Sequence, residues 1–175
     1  RLSSVGSPEL LLQKLKPSLG VIRQAYRRKC PPPFEDSNVR AAYALGYFPH
    51  HAALAAAAYA AAGSQMLGLK DGANVVVLGA GPGPEVVGLA QYLTQSGQRL
   101  TLDIHLVDRQ AGWRATRAAT INAVLERIEG FDPSTFRIHA HEHDLGVIEG
   151  IRQTASLLAN ADLVVMETLL TELPT

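Results

Sequence analysis

The segment Val75-Val76-Val77-Leu78-Gly79-Ala80-Gly81-Pro82-Gly83-Pro84-Glu85 constrains the fold more than any other stretch of the chain. Its continuous apolar run is rich in β-branched side chains and reads as a strand buried on both faces. Three alternate glycines follow, and Pro84 and Glu85 then open an apolar helical pattern through about Leu93. Strand, glycine turn and helix in this order bring bare backbone to a sheet edge in front of a helix N-terminus, which suits a nucleotide-like ligand. The plain alternative is a tight strand-to-helix turn with no ligand. A dinucleotide fingerprint needs a glycine at position 84, where Pro84 stands, so NAD and FAD are disfavoured. Pro82 and Pro84 also remove two amide donors, and no Gly-Lys-Ser/Thr follows to make a phosphate-binding Walker loop.

Downstream, Leu102 to Val107 reads as a second strand ending at Asp108, followed by a long helix over about Ala111 to Glu129. Phe136 to Ala140 is a third strand, a helix lies near Val147 to Leu158, and Leu163 to Met166 is a fourth strand with Glu167 and Thr168 at its tip. Strands alternating with helices predict an α/β fold with a parallel sheet. Upstream, Ser7-Pro8-Glu9 starts a helix that Pro17 divides in two and that ends in Arg27-Arg28-Lys29. Cys30 to Phe34, with three prolines, is extended; Ser37 caps a helix over Val39 to Gly46, and Pro49 opens another through Ala62. Residues 1–70 thus form a helical cap on a sheet domain of residues 71–175.

The chain has 175 residues, 47% of them hydrophobic and 18% charged, which excludes a disordered tail and a fibrous rod and fits one soluble globule. Sixteen basic residues balance sixteen acidic ones, so no whole-chain field steers it to nucleic acid or to a membrane. The run Ala52 to Ala62 is about half a bilayer span and is interrupted by Tyr59, so no membrane partner is expected. The single cysteine, Cys30, excludes an internal disulfide framework and a multi-thiolate metal site, and points to an intracellular, cytoplasmic setting, with mitochondria left open. The chain begins at Arg1 without a secretion leader, and its true start is expected upstream.

The glycine loop, with Asp108 at the end of the second strand, resembles the first two motifs of the class I S-adenosylmethionine-dependent methyltransferases over roughly residues 75–174. The resemblance implies a Rossmann-like sheet, S-adenosyl-L-methionine as cofactor and methyl transfer to a nucleophile. It assigns cofactor contacts to Gly79, Ala80, Gly81 and Gly83, to Asp108 on the ribose with Arg109 beside it, and to His143 and Asp144 near the adenine. Val77 stands where that family commonly has an acid for the methionine ammonium, and Glu85 is the substitute. Gly81-Pro82-Gly83-Pro84, Tyr43 to Pro49 and Leu169-Leu170-Thr171-Glu172-Leu173 are similar to the methyltransferase-like proteins of the mitochondrial small ribosomal subunit, which implies RNA or a ribosomal assembly as a partner. The family usually has seven strands, so a chain that stops after the fourth is expected to be a fragment.

Tyr47, His50 and His51 lie at a helix junction, where an imidazole can act as a base near neutral pH. Glu167 ends a strand on the same sheet edge as the glycine loop and can orient a nucleophile. Glu167, His50 and Tyr47 are therefore the expected catalytic set. Trp113 and Arg114 can border the adenine. Arg23, Arg27, Arg28 and Lys29 either meet RNA phosphates or complement a helix C-terminus. His139, His141 and His143 alternate along a strand, but no carboxylate pattern accompanies them and no metal is expected. The rival readings are a non-catalytic methyltransferase-like scaffold and an NAD-dependent oxidoreductase, against which Pro84 argues.

Overall fold

The structure is a computed structural model that describes residues 7–167. The chain runs α1 (Pro8–Arg27), α2 (Ser37–Gly46), α3 (Phe48–Leu67), β1 (Ala73–Leu78), α4 (Pro84–Gln95), β2 (Leu102–Asp108), α5 (Trp113–Leu125), a 3-10 turn (Pro133–Thr135), β3 (Phe136–Glu142), α6 (Ile148–Ala159) and β4 (Leu163–Met166). The four strands form one all-parallel sheet, as the strand–helix alternation predicts, and their order β3-β2-β1-β4 is consistent with a Rossmann-like fold. Thr168 and the segment Leu169 to Leu173 lie outside the described residues.

From β1 the chain steps outward to β2 and β3, and α6 then returns it past both to β4 on the other side of β1. β1 and β4 therefore flank a topological switch point, and the crevice beyond the carboxyl ends of such strands is where open parallel sheets bind ligands. The glycine loop leaves β1 there, and Glu167 leaves β4.

Val75 and Val77 of β1 and Leu102, Ile104 and Leu106 of β2 form one core with Val86, Leu89 and Leu93 of α4, Ile121 and Leu125 of α5, and Phe48, Ala52, Ala55 and Tyr59 of α3. The alanine-rich helix α3 is thus a packing surface, and Gly88 of α4 sets its distance. A Cβ at Gly88 would stand 2.7 Å from the Ala55 Cβ and 2.8 Å from the Ala52 carbonyl. No helix among the described residues is long and apolar enough to cross a membrane. Leu15 and Ile22 of α1 and Val39 and Ala42 of α2 form a second, smaller cluster.

The cap departs from expectation in three places. α1 is one helix, with Pro17 inside it. Leu15 and Ile22 bury on either side of that proline into the same cluster as α2, so tertiary packing carries the helix across the lost hydrogen bond. Asp36, not Ser37, caps α2, and its carboxylate accepts the Asn38 amide at 2.7 Å. α3 continues beyond Ala62 to Leu67 through a break at Gly63, whose φ of 70° only glycine adopts cheaply. In the sheet domain, α5 ends at Leu125 rather than near Glu129, because the Arg127 and Ile128 amides turn back to Val124 and Leu125.

Candidate functional site

Gly79, Gly81 and Gly83 all adopt left-handed φ, of 66°, 47° and 83°. A side chain at any of them would strain the backbone. At Gly83 a Cβ would also lie 2.6 Å from Ile121 Cδ1, so that side chain would have to move. The amides of the loop are used internally: Ala80 N–H donates to the Val107 carbonyl at 3.1 Å, Gly83 N–H to the Ala80 carbonyl at 2.7 Å, and Gly81 N–H to Asp108 Oδ2 at 2.7 Å. Pro82 and Pro84 have no N–H to give. The loop from Ala80 to Pro84 therefore keeps no donor with which to cradle a phosphate.

Asp108 closes the loop from the tip of β2. Its Oδ2 accepts the Gly81 amide and its Oδ1 the Gln110 amide, the latter at 2.8 Å. A carboxylate offers about four lone-pair positions, so each oxygen keeps capacity for one more donor. Asp108 lines an open cleft of about 850 Å³, mouth included, together with Gly79, Gly81, Arg109, His143 and Asp144. Ala80, Gly83 and Glu85 are buried and do not line it.

Three aromatic rings also line the cleft. Phe34 and Tyr43 come from the cap and Trp113 from α5, with ring centroids 5.2 Å apart for Phe34–Tyr43, 5.3 Å for Phe34–Trp113 and 5.8 Å for Tyr43–Trp113. The proline-rich stretch bearing Phe34 is held by Arg40, whose Nη1 donates to the carbonyls of Phe34 at 2.6 Å and Glu35 at 3.0 Å. Gly112 admits that guanidinium, for a Cβ there would meet Arg40 Cζ at 2.4 Å. Asp144, which also lines the cleft, accepts the Gly146 amide on Oδ1 at 2.8 Å in an Asx turn. His143 Nδ1 lies 3.0 Å from Thr154 Oγ1, whose single proton goes to the Gly150 carbonyl. His143 Nδ1 therefore carries the proton of that contact, and Nε2 is the accepting nitrogen.

Beside the loop, His51 Nδ1 and Glu167 Oε1 are 2.5 Å apart, with the two side chains 14% and 15% exposed. Glu167 follows Met166, the register partner of Leu78, and so stands next to Gly79 across the sheet edge. His51 stacks on Tyr43 and Tyr47 at centroid distances of 6.2 and 6.4 Å. His50 is exposed and meets His51 edge-on. Of the expected catalytic set, Glu167 and Tyr47 are joined through His51. Successive helical residues point about 100° apart, so only one of two adjacent histidines can face β4.

Beneath the loop lie two charged side chains, Glu85 at 4% and Arg117 at 5% exposure. Arg117 Nε donates to the Gly81 carbonyl at 2.9 Å. Glu85 Oε2, Arg117 Nη2 and the Tyr59 hydroxyl are buried without hydrogen-bond partners. Burial pushes the Glu85 carboxyl up to about 8, against the pull of its own backbone amide; Glu167 and Asp108 add to the rise and Arg117 opposes it. Burial also lowers Arg117, with Asp108 and Glu85 drawing it back. The sequence reading passed over Arg117, although its signal was present: Trp113, Arg117, Ile121 and Leu125 recur every fourth residue and form one buried stripe.

On the opposite face of the sheet, His105 Nδ1 is 3.0 Å from His141 Nε2, His139 stacks on His105, and His143 adjoins His141. Burial lowers both His105 and His141, and neighbouring imidazoles add to the effect. Among the described residues no group of three His, Cys, Asp or Glu side chains is spaced to hold a metal ion. No protein-family model, curated protein or solved structure matches this chain.

Proposed function

We propose that this chain binds S-adenosylmethionine in the cleft and transfers its methyl group to a nucleophilic acceptor. The observation that carries the reading is the pairing of Asp108 with a glycine loop whose amides are already used. A carboxylate with open lone pairs takes ribose hydroxyls, and the rings of Phe34, Tyr43 and Trp113 take a heterocycle, but nothing in the loop takes a pyrophosphate. A nucleoside carrying no phosphate meets these demands. When bound, S-adenosylmethionine supplies a methyl group already activated on a sulfonium. The protein's part is alignment, exclusion of water and acceptance of a proton. Glu167 fixes the Nδ1 proton of His51, which leaves Nε2 as the nitrogen that accepts the proton of the nucleophile.

A second reading, a non-catalytic scaffold with the same fold, is favoured by Val77, which leaves the end of β1 without an acid. Calorimetric titration with S-adenosylmethionine, S-adenosylhomocysteine and NADH, with Asp108→Ala in parallel, tests the first reading. Micromolar binding of the two sulfur ligands, none of NADH and loss in the variant are expected. Absence of binding, or affinity unchanged by Asp108→Ala, overturns it.

A further inference from the structure

We propose that Arg40 is a positioning residue that couples the helical cap to ligand binding: by holding the strap of residues 31–35 it keeps Phe34 against Trp113, so the cleft has its aromatic side only while the cap is docked. The inference rests on the S-adenosylmethionine reading and gives the cap a part in holding the nucleoside.

Two of the three rings that line the cleft, Phe34 and Tyr43, belong to the cap, and the third, Trp113, belongs to the sheet domain. Phe34 joins the two sides, with its ring centroid 5.2 Å from Tyr43 and 5.3 Å from Trp113. Its own segment has little backbone bonding to hold it there. Pro31, Pro32 and Pro33 have no N–H, and the Phe34 and Asp36 amides turn back to the Pro32 and Pro33 carbonyls at 2.8 and 3.2 Å. Anchorage comes from α2, where Arg40 Nη1 donates to the Phe34 carbonyl at 2.6 Å and to the Glu35 carbonyl at 3.0 Å. A charged donor makes such bonds about twice as strong as neutral ones.

The guanidinium is itself seated against the sheet domain. Gly112, one residue before Trp113, leaves the space in which it lies, since a Cβ there would stand 2.4 Å from Arg40 Cζ and 2.8 Å from Nε. That Nε is buried without a hydrogen-bond partner, a cost that the two bonds to the strap offset. One side chain therefore meets both the strap bearing Phe34 and the turn that opens α5 at Trp113, and it fixes the spacing of the two rings. Neither Arg40 nor Gly112 lines the cleft, so their effect on a ligand passes through the rings.

The test titrates wild type, Arg40→Ala, Gly112→Ala and the double variant with S-adenosylhomocysteine by calorimetry. Gly112 has an ordinary helical φ of −60°, which alanine adopts freely, so that substitution acts by pushing the guanidinium away. Each single variant should bind about 5- to 150-fold more weakly, the range for an aromatic partner of one base. The double variant should match Arg40→Ala, because the added methyl then has no guanidinium to displace. Trp113, the single tryptophan, supplies a second readout. Acrylamide should quench its fluorescence more in unliganded Arg40→Ala than in the wild type, and saturating ligand should restore the protection. A role in stability alone would lower the thermal midpoint without that ligand-dependent recovery. If Arg40→Ala does not fold, Gly112→Ala decides by itself. Unchanged affinity in Gly112→Ala, or losses that add in the double variant, overturns the coupling and leaves the cofactor reading standing. Failure of the wild type to bind overturns both.

Discussion

His51 Nδ1 and Glu167 Oε1 meet at 2.5 Å although 116 residues separate them in the chain. The contact fastens α3 to the tip of β4 at the sheet's switch point. Glu167→Ala should cost about 1 to 3 kcal/mol of stability, because it strands a largely buried donor. His50→Ala, at an exposed neighbour, should stay within about 0.5 kcal/mol of the wild type. Urea denaturation of both variants distinguishes them, and equal losses would refute the assignment of His51 over His50.

Asp108 serves the loop and the cleft together, so its removal should act on both. Asp108→Ala should weaken binding of S-adenosylhomocysteine by about 10- to 150-fold, equivalent to about 1.5 to 3 kcal/mol. Asp108→Asn keeps one acceptor oxygen and should fall between. Calorimetry on the three proteins checks the order.

Gly88→Ala would ordinarily strengthen a helix by about 1 kcal/mol. Here the new Cβ meets the Ala52 carbonyl and the Ala56 amide at 2.8 Å, both backbone atoms that cannot rotate away. The net change should be a destabilisation of about 1 to 3 kcal/mol, seen as a lower thermal midpoint. A raised midpoint would mean that α3 does not seat on α4 at this distance.

Glu85 makes stability depend on pH in a definite direction. Its carboxyl titrates near 4.5 when unfolded and at about 8 when folded, so the folded state holds the extra proton between these values. Stability of the unliganded protein should therefore fall as pH rises from about 4.5 to about 8, by an amount on the order of a few kcal/mol. Glu85→Gln should flatten that slope. Denaturation curves across the range measure it, and an unaltered slope in the variant would contradict the burial of this carboxyl as an acid.

His105 and His141 act at the other end of the scale. Both are held below the ordinary 6.5, by burial first, then by nearby imidazoles. The unfolded chain binds protons more readily, so the pair should cost stability as pH falls below about 6.5. Asp103 works against this at His105. His105→Gln should make the acid limb of the stability curve shallower, as the same denaturation series would record.

The sequence by itself determined the order of strands and helices in the sheet domain and the place of the glycine turn. The β-branched run Val75 to Val77, bounded by the glycine turn, favours a buried strand, and three residues at positive φ demand glycine, both local requirements. Asp108 at the tip of β2 was legible for the same reason, since a strand-end acid after an apolar run is fixed by its neighbours. Tertiary structure alone decided which charged groups are buried and which side chains meet. Pro17 stays within a helix because both sides of it pack into one cluster with α2, a fact about a partner element. His51 rather than His50 reaches Glu167 because the rotation of α3 is set by its alanine and Gly88 contact with α4. Arg117 and Glu85 lie under the loop because α5 and the start of α4 close over the same core, and desolvation follows from that enclosure rather than from the residues beside them in the chain. Local backbone preference is written along the sequence, whereas burial and pairing arise only where distant segments come together.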